Sequence, residues 1–334
     1  MALMGTGVRA PDDTQLDGDV VTVVVPTFNG ARFVEATLRS LASQSYGDLE
    51  IVVVDDGSRD DTLDVVRRTG IPTDVLVQQN LGVAVARNRG LAHARGRWVG
   101  FVDQDDLWRR DRVRDLVRYA TTHGIRAVAS TEHPFALEAD RQALRDVGDG
   151  RHLWPRDWVI EGEEDALVDS PSKRAGNPEE IGVERLLEGA AMLTTAVLYD
   201  RETALSAGGF APHARALDDH LLNLNVARIA GPIHRIDTAD LLYRVHPSST
   251  STVSPMAGPM LSAMMSVRLG GIFPADRHLG PNLEHLLREL PRTGLSTADQ
   301  LSLLLGSAPP GNRGRWLARW GKGTVGRLRH RKPR

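Results

Sequence analysis

The sequence predicts an α/β fold in which a mostly parallel sheet is flanked by helices and followed by a helical C-terminal region. Three observations predict it. Runs of β-branched and apolar residues recur at Val20-Val21-Thr22-Val23-Val24-Val25, Ile51-Val52-Val53-Val54 and Val99-Gly100-Phe101-Val102, and runs this short and apolar read as buried strands. Helical patterns separate them, giving the strand–helix–strand rhythm of a parallel sheet with helices on both faces. Each run then stops at polar residues: Pro26-Thr27, Asp55-Asp56 and Asp103-Gln104-Asp105. In Rossmann-like sheets, ligands bind beyond the carboxyl ends of the strands. The three clusters therefore predict one functional rim.

The elements follow in order. The first strand ends in the turn Pro26-Thr27-Phe28-Asn29-Gly30, and Val34, Leu38 and Leu41 then recur at helical spacing. The second strand ends in Asp55-Asp56-Gly57-Ser58 and leads to a helix through Leu63 and Val66. A weaker strand fits Asp74 to Gln78, and Gln79-Asn80-Leu81-Gly82-Val83 opens a helix carrying Ala86, Arg87, Asn88 and Gly90. After the strand ending near Asp103, a helix is expected from Trp108.

Beyond Thr131 the rhythm breaks, and no period runs through 134–185. That segment reads as a loop or an insertion shaping an acceptor, and its acidic cluster, Glu161, Glu163, Glu164 and Asp165, reads as solvated. Order resumes with a strand over Leu193–Tyr199, a short helix over Arg201–Ala207 stopped by Gly208-Gly209, and a helix from Asp218. A short strand over Leu241–Val245 ends at His246-Pro247; Met260, Met264, Met265 and Leu269 then predict a packed helix.

Composition narrows the class. With 41% apolar and 25% charged residues over 334 positions, the chain can bury one large core, or one core with a small appendage. A net charge of -2 argues against a nucleic-acid binder. The lack of cysteine excludes disulfides, cysteine-ligated zinc, iron–sulfur clusters and thiol nucleophiles. No apolar run reaches the roughly 18 residues of a membrane span, and Met1–Asp19 lacks the apolar centre of a secretory signal. The chain reads as cytoplasmic.

The most informative run is Val99-Gly100-Phe101-Val102-Asp103-Gln104-Asp105-Asp106. Residues two apart in an extended chain face the same side, so Asp103 and Asp105 can share one hard cation. Oxygen ligands of this kind suit Mg²⁺ or Mn²⁺ and usually serve a phosphate-bearing substrate. Asp106 reads as the cap of the following helix.

Six elements in this order, Pro-Thr-Phe-Asn, Val-Asp-Asp-Gly-Ser, Ala-Arg-Asn-Arg-Gly, Phe-Val-Asp-Gln-Asp-Asp, Gly208-Gly209-Phe210 and Asp218-Asp219-His220, resemble those of the family 2 glycosyltransferases. The resemblance runs over about 20–247, apart from 134–185, and implies the GT-A fold. Four parts are expected: a disordered lead-in over 1–18, a GT-A domain over 19–250, a helical region over 251–310, and a basic tail over 311–334. The GT-A domain would divide into a nucleotide-binding half, 19–130, and an acceptor half, 131–250.

The resemblance also implies roles. Pro26, Thr27 and Phe28 would line the base, and Asp55 or Asp56 would accept from a base N–H, although Asp-Asp-Gly-Ser is also good turn chemistry. Arg87 and Asn88 would lie beside the nucleotide, with Arg87 able to pair with the diphosphate through its planar fork; Arg89 reads as a solvated charge. Asp105 would touch the cation, Asp103 would reach ribose or a metal-bound water, and Gln104 would join the donor contacts. His246 would supply a third metal ligand or a phosphate contact, against the structural role usual for a lone histidine before proline. Asp219 would be the general base, with Asp218 its neighbour and alternative.

The implied activity is inverting, metal-dependent transfer of a sugar from a nucleotide-sugar donor to an acceptor hydroxyl, without a covalent intermediate. Two rivals stand beside it: nucleotidyl transfer, and a non-catalytic nucleotide-sugar-binding protein. The first strand lacks the Gly-rich basic loop a nucleotidyltransferase would want, and intact Asp103, Asp105 and Asp219 argue against decay. Finally, Arg313–Arg334 holds nine Lys/Arg and no acid, interleaved with Trp316 and Trp320. It reads either as a solubilising tail or as a peripheral contact with anionic membrane.

Overall fold

The structure, a computed structural model, describes residues 18–140, 160–170, 178–187, 191–212, 218–248 and 317–318. The helix expected beyond Pro255, the lead-in before residue 18 and nearly all of the basic tail lie outside these residues.

Ten strands form one sheet: β1 Val21–Thr27, β2 Leu49–Asp55, β3 Asp74–Val77, β4 Trp98–Phe101, β5 Leu107–Trp108, β6 Ala127–Ala136, β7 Ile160–Glu161, β8 Glu179–Ile181, β9 Val197–Asp200 and β10 Ile233–Arg244. The order is β3-β2-β1-β4-β9-β6-β10-β5, with β7 against β6 and β8 against β10. The first four strands in that order run parallel. From β9 onward the sheet is mixed, because β9 runs antiparallel to both β4 and β6, and β10 runs parallel to β6 but antiparallel to β5 and β8.

Eight helices complete the described residues: α1 Val34–Ala42, α2 Thr62–Arg68, α3 Val83–His93, α4 Arg112–His123, α5 Glu164–Asp169, α6 Val183–Leu187, α7 Arg201–Ser206 and α8 Asp218–Ala230. The strand pleat sorts side chains onto two cores. Val24, Val52, Val54, Val99 and Phe101 pack with Ala86 and Leu91 of α3, Ala204 of α7 and Leu222 of α8. Their neighbours Val23, Val25, Ile51, Val53 and Trp98 pack on the other face with Leu38 of α1, Val66 of α2 and Leu116 of α4. Gly90 lets α3 lie against β1, since a Cβ there would sit 2.2 Å from Val24 Cγ1.

Four expectations are corrected. Leu107–Trp108 is not helical; it pairs with β10, and α4 starts only at Arg112. Asp106 therefore caps no helix. It is buried, and its Oδ1 accepts the Arg244 N–H at 3.0 Å. The strand expected from Leu193 begins only at Val197, because Thr194–Ala196 winds into a 3₁₀ turn. Two of that turn's carbonyls are taken by the Arg112 guanidinium, so they cannot join a ladder. The strand read as Leu241–Val245 is the end of a twelve-residue strand. A register break between Ile236 and Leu241, with Ala239 at φ 48°, hides its first half from a pattern reading.

Candidate functional site

The carboxyl ends of β1, β2 and β4 meet on one edge, as the polar clusters predict. At the end of β1, backbone groups are held by the loop after β2. Asn29 N–H donates to Ser58 Oγ at 2.9 Å, Asn29 Oδ1 accepts from Arg59 N–H at 2.8 Å, and Gly30 N–H donates to Thr62 Oγ1 at 2.8 Å. Asp55, buried, accepts Ser58 N–H at 3.1 Å and the Thr27 hydroxyl at 3.3 Å. Asp56 has a different job. It accepts from Gln78 Nε2, Leu81 N–H and Gly82 N–H, each at 2.8 Å, and so fixes the loop that opens α3. Phe28, Leu81 and Val83 stay exposed, at 41%, 61% and 46%.

The acidic element after β4 is held from several sides. Gln104 clamps the Phe28 backbone, accepting its N–H at 2.9 Å and donating to its carbonyl at 3.2 Å. The Thr37 hydroxyl contacts the carbonyls of Gln104 and Asp106 at 2.7 and 2.9 Å. Arg87 and Asp103 form an ion pair at 2.7 Å, with the guanidinium over the Phe210 ring. Asn88 is turned toward the protein: its amide accepts from Phe210 N–H and donates to Phe210 O, both at 2.8 Å. That pairing requires Gly209, at φ 66°, where a Cβ would meet Asn88 Oδ1 at 2.4 Å. The Gly-Gly-Phe turn is thus the buttress of Arg87, and Asn88 its anchor.

Asp105 meets His246 across 141 residues of sequence, with Oδ2 and Nε2 2.9 Å apart. The imidazole packs on the Phe33 ring at 4.4 Å, and its Nδ1 lies 2.9 Å from Ser248 Oγ. Behind them Arg244, fully buried, donates from Nε to the Asp105 carbonyl at 2.6 Å and pairs with Glu164 at 2.6 Å between the Phe33 and Phe135 rings. Glu164 is therefore no solvated acid. Burial, with Asp105 and Asp103 nearby, pushes the Asp106 carboxyl well above the usual carboxylate range.

The donor chemistry here can be tested against a divalent ion. Among the described residues no three acidic or histidine side chains converge on one point. Asp105 and His246 supply one oxygen and one nitrogen donor side by side, while Asp103 is paired with Arg87. Mg²⁺-type ions keep several waters and take one or two carboxylates plus substrate phosphates, so this pair fits an ion shared with a diphosphate.

Asp219 lies in the first turn of α8. Its Oδ1 accepts the His220 N–H at 2.8 Å, and its Oδ2 accepts from the Thr194 hydroxyl. His220 is buried, which lowers its imidazole pKa and disfavours the charged ring. The Tyr199 hydroxyl donates to Asn223 Oδ1 at 2.6 Å and ties α8 to β9. The side chain of Asp218 lies outside the described residues.

Comparison with known proteins decides the family. Residues 22–144 match the family model for glycosyl transferase family 2. That region, rather than the whole chain, is a glycosyl transferase family 2 domain. Over 104 residues it is 35% identical to the putative teichuronic acid biosynthesis glycosyltransferase TuaG of Bacillus subtilis, a match covering 30% of this chain and 41% of that protein. Over 235 residues it is 26% identical to the Escherichia coli UDP-Glc:alpha-D-GlcNAc-diphosphoundecaprenol beta-1,3-glucosyltransferase WfaP, covering 70% and 80%. In fold it resembles S. aureus TarS, with a TM-score of 0.62 at 18% identity over 91% of this chain and 53% of that one. It likewise resembles the mannosyltransferase PcManGT from Pyrobaculum calidifontis, at 0.57 and 21% over 96% and 83%.

The family 2 domain match spans β1 to β6, the half in which the polar rim sits, and stops before Thr194, Asp219 and His246. Of these, His246 reaches the rim at Asp105 from the end of β10, and Thr194 meets Asp219 beside β9. Two helpers were missed from sequence alone. Arg244 had a signal, a lone arginine inside the strand Leu241-Leu242-Tyr243-Arg244-Val245. Thr194 had none, being one hydroxyl in an apolar run. No helix among the described residues is long and apolar enough to cross a membrane.

Proposed function

We propose that the chain is an inverting glycosyltransferase that moves a sugar from a nucleotide-sugar donor to an acceptor hydroxyl with the help of Mn²⁺ or Mg²⁺. The observation that supports it most is the approach of Asp105 and His246 to 2.9 Å on the rim of a family 2 domain. One carboxylate and one imidazole, with a diphosphate, make a plausible ligand set for such an ion. The ion, when bound, would stabilise negative charge on the departing nucleoside diphosphate. Pro26, Thr27, Phe28 and Asp55 would form the nucleoside cradle, with Asp56 shaping its loop. Arg87, held by Asp103 and Phe210, would face the diphosphate; Asp103 would exchange that partner for ribose or a metal-bound water. Gln104 and Asn88 would contribute by holding Phe28 and Phe210 in place.

Asp219, or Asp218 beside it, would take the acceptor proton as the acceptor oxygen attacks the anomeric carbon. Relatives support the donor class: TarS structures include complexes with UDP and with UDP-GlcNAc, and the Pyrobaculum structure holds GDP-Man and Mn²⁺. The name of the E. coli relative supports a lipid-linked glycan among possible acceptors, and the basic stretch Arg313–Arg334 fits peripheral contact with an anionic, cytoplasmic membrane face. The test is product analysis with a panel of nucleotide sugars and Mn²⁺. Nucleoside diphosphate release that depends on the cation supports transfer. Pyrophosphate release would indicate nucleotidyl transfer, and binding without release a sensor.

A further inference from the structure

We propose that Thr194 is a positioning residue that orients the Asp219 carboxylate, and that a buried guanidinium, Arg112, holds Thr194 where it must be. The inference rests on reading Asp219 as the general base. Both oxygens of that carboxylate are engaged. Oδ1 is fixed by the N–H of the next residue at 2.8 Å, a bond internal to α8. Oδ2 is fixed from outside the helix by the Thr194 hydroxyl, 25 residues earlier in the chain. An aspartate opening a helix can otherwise turn about both side-chain torsions. With one oxygen tied to its own backbone and the other to a second element, its plane is set.

The second element is itself held at unusual cost. Thr194 is 5% exposed and starts the 3₁₀ turn Thr194–Ala196. Arg112 donates from one nitrogen to both following carbonyls, Thr195 O at 3.0 Å and Ala196 O at 2.8 Å. Its other terminal nitrogen pairs with Asp240 at 2.5 Å and meets Ser130 Oγ, and the guanidinium lies 4.7 Å from the Trp108 ring centre. Arg112 and Asp240 are 1% and 0% exposed in their side chains. A buried ion pair seldom stabilises a fold more than apolar residues of the same size. What apolar residues cannot offer is a rigid fork of donors that fixes successive carbonyls. The chain of contacts runs from Asp240 through Arg112 and the turn to Thr194 and then Asp219.

The chemistry explains why orientation matters. In an inverting displacement the acceptor oxygen bonds to the anomeric carbon, while the bond to the diphosphate oxygen breaks and its electron pair leaves with the nucleoside diphosphate. The acceptor proton passes to Asp219 in the same event, so its lone pair must be aligned as the bond forms. A displacement of about 1 Å in such a group can cost about a hundredfold in rate.

The test compares wild type, Thr194→Val, Thr194→Ser, Asp219→Asn and the Thr194→Val/Asp219→Asn double variant in the full chain. UDP-glucose, UDP-GlcNAc and GDP-mannose with Mn²⁺ serve as probes, and kcat and KM are read separately from nucleoside diphosphate release. Thr194→Val is expected to lower kcat about 10- to 100-fold with little change in KM, and Thr194→Ser to recover most of the loss. In the double variant, Val should add nothing to the Asn defect, because the two residues act as a unit. Unchanged kcat in Thr194→Val beside an inactive Asp219→Asn overturns this inference and leaves the base assignment standing. A Ser variant as poor as Val overturns it too. Full activity in Asp219→Asn, or no release from any probe by the wild type, overturns the reading beneath it.

Discussion

Replacing Asp105 by alanine isolates the cation question, because the fold leans on this residue's backbone while the proposed ion needs its side chain. Arg244 Nε holds the Asp105 carbonyl, a contact the substitution keeps. The side chain itself meets His246 at 2.9 Å. His246 is buried and Asp105 part-buried, so loss of the contact should cost about 1–3 kcal/mol without ligand. The Mn²⁺-dependent shift is read within each variant and is separate from that cost. In the wild type, UDP or GDP with Mn²⁺ at about 100 times its dissociation constant stabilises the native state by about 2.7 kcal/mol. For a domain of this size, each kcal/mol moves Tm by about 2–4 °C, so the shift should be about 5–10 °C. Removing one of two protein donors to a shared ion should erase most of the Mn²⁺-dependent part of that shift. His246→Ala should do the same, and the pair together should lose little more than either alone, since both act through one ion. Thermal melts with nucleoside diphosphate, with and without Mn²⁺, give the answer directly. A full Mn²⁺-dependent shift in Asp105→Ala would refute the placement of the ion.

Other expectations follow from the same geometry. Asp219→Asn should keep nucleoside diphosphate affinity but lower turnover by at least about a hundredfold; if Asp218→Asn is the inactive variant instead, the base lies one residue earlier, and calorimetry beside steady-state kinetics separates binding from chemistry. Gly90→Ala should destabilise by about 1–3 kcal/mol through overpacking, since its Cβ would fall 2.2 Å from Val24 Cγ1; urea melts that match the wild type would mean that α3 and β1 can part at no cost. Asp106 carries a pH signature. Its folded pKa is raised by burial and by Asp105 and Asp103, so between the unfolded value near 3.9 and that raised value the native state binds more protons than the unfolded one, and stability falls as pH rises. Asp106→Asn removes that term, so in metal-free urea melts the variant should gain on the wild type as pH rises above the unfolded value near 3.9; curves that stay parallel as pH rises from there would rule the shift out.

How much of this was legible in the sequence depended on whether a residue's partner lies nearby in the chain. The first half of the sheet could be read because each strand there is a continuous β-branched run, and the core alternation of Val23, Val24 and Val25 follows from the pleat alone. Leu107–Trp108 and Thr194–Ala196 were misread for one shared reason. Their conformations are set by distant partners, β10 in one case and Arg112 in the other, and local propensity carries no trace of either. The candidate site divides the same way. Asp103, Asp105 and Asp56 announce themselves at strand ends, but what each does depends on contacts far along the chain: Asp103 is drawn to Arg87, Asp105 to His246, and Asp56 to the loop that opens α3.

This division carries a physical consequence for the site. The polar rim belongs to the locally encoded, parallel half, whereas Thr194, Asp219 and His246 belong to the mixed half, whose strands pair across long stretches of chain. Arg244 and Arg112 are two of the buried cations that make long-range contacts here. Arg244 sits on β10 and grips the carbonyl of Asp105, while Arg112 sits on α4 and grips the turn beside Asp219. Each reaches a residue proposed to act on a different end of the sugar being transferred, one at the diphosphate and one at the acceptor. Fixing both to the same strand, through Arg244 itself and through Asp240, makes β10 the common reference for the distance between them. A displacement reaction is sensitive to the placement of its reacting groups, and β10, which carries both Asp240 and Arg244, is the element that ties the two placements together.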